Sequence, residues 1–303
     1  MAQSTWWWRM AQPSLGEEAP EGASLDQRPL AVLPASLAGL TDRGAFVVVV
    51  RDATLFTHWL AADDAALQWI EVHDLLGDDD VWRTAARLVS DIPIDVVVGD
   101  PGQEYALLYR LVDARNVRPI RVTIPVRPGF LKALRLAASL QLSVRLLPGQ
   151  PAAAVQGELE EAVEFYLRDS MVEAPFEYFH SALVAMQTGE PGNLWYALEE
   201  DPATYLRLDE KGVPEIQSRQ PGGNPERYVR DHVASVTDTG ECRDCRWLGF
   251  CGGYFKLPDP EYSCDGVMRI FDILQRASDE LHEDLAGLPP SGSKPETEDN
   301  AHA

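Results

Sequence analysis

The chain has 303 residues, a formal charge of −22, 45% hydrophobic residues and 24% charged residues. That length holds one large domain or two modest ones. The surplus of negative charge argues against nucleic acid or an anionic membrane surface as partner, and it either attracts a basic partner or only keeps the protein soluble.

No apolar run reaches the roughly 20 residues of a membrane helix. The cluster Trp6-Trp7-Trp8 is not followed by the apolar core and small-residue cleavage site of a signal peptide, so the expected location is cytoplasmic. There, grouped cysteines point to metal binding or catalysis rather than to disulfides. Residues 1–40, rich in Pro, Gly, Ala and Ser, read as a disordered or loosely packed segment, with the tryptophans as a docking element or folded back.

From there strands and helices alternate. Ala45–Val50 is a continuous β-branched run, as in a strand buried on both faces, and Leu67–Val72 is a second strand. Asp79–Ser90 reads as a helix presenting Val81, Trp82, Ala85, Leu88 and Val89 on one face. The strand Ile94–Val98 ends in the turn Gly99-Asp100-Pro101-Gly102. A helix at Gln103–Val112, a strand at Ile120–Val126, a helix at Pro128–Leu140, a strand at Leu142–Leu147 and a helix at Val155–Leu167 follow. This spacing implies about five parallel strands with right-handed crossovers, hence α/β class and a partial (β/α) barrel. Beyond Ser170 the pattern changes to a helix at Pro175–Thr188 and a β-hairpin at Leu194–Ile216, turning near Glu210-Lys211-Gly212. An amphipathic helix follows at Val267–Leu285, and residues 289–303 form a solvated tail.

All four cysteines lie between the hairpin and that helix. Cys242, Cys245, Cys251 and Cys264 follow the pattern C-x2-C-x5-C-x12-C, with Gly252-Gly253 after the third. Two cysteines two residues apart grip one metal centre, and the glycine pair lets backbone approach closely. Four thiolates suit one iron–sulfur cluster or zinc, and a zinc ribbon more often shows two C-x2-C knuckles. The bland alternatives are a metal that only pins the segment, disulfides, or unconnected thiols.

The module resembles the SPASM extension of radical SAM peptide-modifying enzymes, whose cysteines bind two auxiliary 4Fe-4S clusters. Cys242, Cys245, Cys251 and Cys264 match every ligand of one such cluster, while Phe255 and Gln217 stand where cysteines of the other would be. Upstream, the order of strands and helices resembles the radical SAM barrel, with Gly99-Asp100-Pro101-Gly102 in place of its SAM-contacting GGEP turn. The C-x3-C-x2-C loop that holds the SAM-cleaving cluster should follow Ala45–Val50, and that stretch, with Asp52 and His58, has no cysteine.

The resemblance implies a radical-SAM-like barrel over 41–190, a SPASM-like part over 191–288, one 4Fe-4S cluster and no SAM cleavage. It further implies an accessory protein binding a precursor peptide or partner enzyme in peptide modification. Two other readings stand beside it: a redox or metal-dependent enzyme using the barrel face, and a zinc-stabilised binding module. Asp52, His58 and Asp100, after barrel strands, are the barrel-face candidates, since barrels hold chemistry at C-terminal strand ends. The run Asp78-Asp79-Asp80 reads as a helix N-terminus, with a divalent-metal site as its rival.

Overall fold

In the computed structural model, residues 29–38, 44–188, 193–216, 224–238 and 240–287 are described. Eight strands form one parallel sheet, curled into a half-barrel, in the order β7-β6-β5-β4-β3-β2-β1-β8. The strands are β1 (Leu30–Pro34), β2 (Phe46–Val50), β3 (Leu67–Val72), β4 (Ile94–Val97), β5 (Ile120–Pro125), β6 (Ser143–Leu147), β7 (Phe176–Glu177) and β8 (Tyr205–Arg207). The helices are α1 (Ala53–Leu60), α2 (Asp79–Arg87), α3 (Pro101–Glu104), α4 (Val112–Arg115), α5 (Phe130–Ser139), α6 (Gln156–Arg168), α7 (Phe179–Thr188), α8 (Leu194–Ala197), α9 (Tyr228–Thr237), α10 (Leu248–Cys251) and α11 (Asp265–Gly287).

The expected partial barrel is present, with more strands than the hydrophobic pattern announces. β1 lies inside the segment read as disordered. Leu30–Leu33 is a short apolar run between two prolines, yet it pairs with β2 on one side and β8 on the other, burying Val32 and Leu33. The expected helix from Pro175 begins instead with strand β7, and Tyr178, at φ +90°, breaks the chain before α7. The expected hairpin over Leu194–Ile216 is replaced by α8, capped by Asn193, and by β8, whose partner is β1 in parallel. Only its tip survives: Asp209 N–H bonds to the Val213 carbonyl and Gly212 sits at φ +77°. Helix α2 ends at Arg87 because Leu88 is extended, which leaves Val89 in solvent rather than on the buried face. Leu281 and Leu285, at the far end of α11, are also exposed.

The two faces of the sheet differ in chemistry. The convex face carries Ile70, Val72, Ile94, Val96, Ile120, Val122 and Ile124, packed under the helices as one apolar core. The concave face begins apolar, with Val32, Val47 and Trp69 in a separate cluster with Tyr205. It then turns ionic. Register places Glu71, Asp95 and Arg121 side by side across β3, β4 and β5, and Thr123 beside Arg145 across β5 and β6.

These buried charges are paired. Arg121 donates to Asp95 at 2.7 Å and to Glu199 at 2.6 Å, and Arg145 donates to Asp95 at 2.9 Å and also contacts Glu199. The Thr123 hydroxyl donates to Asp95 at 2.7 Å. Burial works against the charge of Arg121, and the two carboxylates more than offset it. Arg207 of β8 forms a two-pronged pair with Glu71, both contacts at 2.8 Å, closing the inner face from the other edge.

Two outcomes follow from these pairs. Asp95 is wholly buried between two guanidinium groups, so Asp95→Ala leaves uncompensated positive charge. It should lower stability by about 3–5 kcal/mol in urea denaturation, and a loss below ~1 kcal/mol would contradict the pairing. The second outcome concerns acid. Burial alone would raise the Glu71 carboxyl, but the charge of Arg207 and hydrogen bonds to Arg207 and His73 hold it well below the ordinary carboxylate range. Its stabilisation is therefore complete above the usual glutamate pKa of about 4.3 and is lost as pH falls toward its depressed folded value. Glu71→Gln should flatten the acid arm of a Tm-versus-pH series. An unchanged arm would rule this carboxylate out as its source.

Candidate metal centre

The four cysteines reach one place by distinct local devices. Cys242 and Cys245 sit in a turn, with the Cys245 N–H on the Cys242 carbonyl at 3.3 Å. Cys251 closes α10, its N–H on the Trp247 carbonyl at 2.8 Å. Cys264 precedes α11, and its carbonyl accepts from Met268 N–H at 2.8 Å. All four line one small pocket, walled also by Trp247, Phe255, Lys256, Val267, Met268 and Phe271.

The glycine pair after Cys251 is sterically required. Gly252 and Gly253 lie at φ +57° and +70°. A Cβ on Gly252 would stand 3.1 Å from the Trp195 ring, and one on Gly253 would stand 2.8 Å from Val236. The left-handed turn they make reverses the chain so that the backbone amides of Tyr254 and Phe255 favour the thiolate form of Cys251. Amide donors on sulfur are the bonds that tune metal–thiolate centres.

All four thiols are free. Burial pushes the Cys251 thiol up to about 11 and the Cys264 thiol up to about 12, and raises Cys242 as well. A nucleophilic cysteine needs the opposite shift. Thiols held protonated by burial and by one another suit a cationic centre that displaces their protons on binding.

The pocket is braced to the barrel. Lys256 Nζ bonds Glu241 at 2.9 Å, and the same carboxylate accepts from Cys264 N–H at 3.2 Å. Gln150, in the loop after β6, donates to the carbonyls of Phe255 and Asp259 at 3.0 and 2.7 Å, and the Tyr262 hydroxyl donates to the Pro151 carbonyl at 2.8 Å. Trp195 Nε1 donates to the Gly252 carbonyl at 2.9 Å.

The donor set and the amide donors fit an iron–sulfur cluster. Among the described residues, no group of three or more His, Cys, Asp or Glu side chains stands close enough to share a single metal ion. Four thiols lining one pocket supply the number of ligands such a cluster takes. Two buried donors beside the pocket, Trp247 Nε1 and the Tyr178 hydroxyl, have no partner among the described residues.

The barrel-face candidates are not brought together. Asp52 caps α1, accepting from the N–H groups of Thr54 and Leu55, and His58 is exposed on the same helix. Asp100 caps α3 through Gly102 and Gln103, while Glu104 reaches back to the N–H groups of Gly99 and Asp100. Among the described residues no hydrogen bond or ion pair joins Asp52, His58 and Asp100. The acidic run is likewise used locally: Asp78 caps α2, Asp79 pairs with Arg110 and Asp80 with Arg83. Phe255 is buried in the core, whereas Gln217 and Trp6–Trp8 lie outside the described residues. The extra strand β1 makes the stretch between Pro34 and Phe46 the one that follows the first strand, and that stretch also has no cysteine in the sequence. Sequence reasoning missed the ionic filling of the barrel. Its signal was one charged residue inside each of three apolar strands: Asp95, Arg121 and Arg145. Glu199 carried no such signal.

No helix among the described residues is long and apolar enough to cross a membrane. No family model and no curated protein matches the chain. Among solved structures, the fold is similar to native anSMEcpe with bound AdoMet, a radical SAM-type enzyme, at a TM-score of 0.51 and 8% identity, over 83% of this chain and 88% of that one. At that identity the likeness is one of fold alone: this chain shares the parallel-stranded half-barrel architecture of that structure.

Proposed function

We propose that this protein is an iron–sulfur accessory protein, holding one 4Fe-4S cluster on Cys242, Cys245, Cys251 and Cys264 and acting beside a peptide-modifying enzyme. The observation that carries the reading is the gathering of all four cysteines of the chain around one pocket. A cluster bound by four cysteines has no open iron, so what it supplies is one-electron transfer or structural support. No cysteine remains to hold a second, SAM-cleaving cluster. The barrel interior points the same way. Where a barrel enzyme would keep room for substrate, Asp95, Arg121, Arg145 and Glu199 saturate one another. The partner would be a precursor peptide or the modifying enzyme itself. The net charge of −22 favours a basic surface on it.

Anaerobic purification should give a brown protein with a broad absorbance near 400 nm and about four irons and four sulfides per chain. Zinc at one per chain, with no iron, would replace this reading by that of a zinc-stabilised module. Cys251→Ala should lose most of the iron and lower the Tm, because the loaded site binds only the folded chain. Loss of iron without any change in Tm would show that the cluster does not support the fold.

The loaded and reduced protein, mixed with AdoMet, should release no 5′-deoxyadenosine. Product above the level of the Cys251→Ala variant would overturn the accessory role.

A further inference from the structure

At and near the pocket are two buried polar atoms with no partner among the described residues. Trp247 lies in its wall, with Nε1 buried and unpartnered among the described residues. Tyr178 sits where β7 gives way to α7, wholly buried, with its ring 6.3 Å from Phe255 and 6.3 Å from Phe271, both pocket residues. Its hydroxyl also has no partner among the described residues and lies within electrostatic range of Cys251. A buried donor without an acceptor keeps its full desolvation cost, so native chains rarely keep one and each needs a reason. Tyr178 adds backbone strain, since a bulky residue at φ +90° persists only where its surroundings hold it there. Of the other unsatisfied atoms, those of Arg118 belong to a guanidinium that already donates to the carbonyls of Ala85 and Leu88. Trp247 and Tyr178 share a neighbourhood rich in sulfur.

We infer that the Trp247 indole N–H and the Tyr178 hydroxyl are outer donors to the sulfur atoms of an iron–sulfur cluster in this pocket, and that they set its reduction potential. The inference rests on the cluster proposed above and narrows it to a group carrying sulfur acceptors. Hydrogen bonds to cluster and cysteine sulfurs stabilise the reduced state, which holds one more negative charge. Both residues are positioning groups, since neither is a ligand.

The test uses the full chain, anaerobically reconstituted, as wild type, Tyr178→Phe and Trp247→Phe. Iron and sulfide per chain are measured first, then the midpoint potential by EPR-monitored titration. Both variants should keep the wild-type iron content and shift to more negative potential. Melting supplies an independent readout. Tyr178→Phe should leave the metal-free protein as stable or more so, because it removes an orphan hydroxyl, and should lower the Tm of the loaded protein. A purely structural tyrosine would change both forms alike. Wild-type protein that holds no iron would bring down the cluster reading itself. Wild-type protein with its cluster, and variants with unchanged potential and equal Tm changes in both forms, would overturn this inference alone.

Discussion

A curled parallel sheet encloses an inner face, and that face has to be filled. In this chain it is filled with charge. Asp95, Arg121 and Arg145 come from three adjacent strands, and none could stay buried without partners. The fourth member, Glu199, comes from outside the sheet, at φ +59° just after α8. Four residues earlier, Trp195 donates to the Gly252 carbonyl. One short stretch thus reaches into the barrel with a carboxylate and into the cysteine loop with an indole. The placement of the cysteine pocket follows from how the barrel is plugged.

The same bracing argues about chemistry. Gln150 after β6, Tyr178 after β7 and Trp195 in α8 all meet the segment 251–264, so the pocket stands against the C-terminal ends of barrel strands. In barrels, this is the end where reactions are run. Here the reacting space holds a saturated ion network, and the cysteine pocket sits beside it.

How much of this could be read from the sequence divides along physical lines. Strands β2 to β6 were legible because continuous Val, Ile and Leu runs separated by helical spacing have few other solutions. The cysteines were legible because their spacing is chemically restrictive. Strands β7 and β8 were not, since two or three residues fall below any period, and β1 lay in a stretch rich in Pro, Gly and Ala; each owes its state to a neighbouring strand. The ionic interior was half legible. Asp95 inside Ile-Asp-Val-Val-Val is conspicuous, but its complement includes Glu199, which only tertiary structure brings near. The roles of Asp52 and Asp100 as caps could have been anticipated from their place before helices. Their position after strands drew attention to the barrel face instead.

The sheet never closes, so it has two outer borders, β7 and β8. These strands are two and three residues long. A long open border would offer a row of unpaired amides and carbonyls to any passing chain. Each border here offers almost none, and each carries a charged residue, Glu177 on one and Arg207 on the other. Borders this short give a second half-barrel little to pair with.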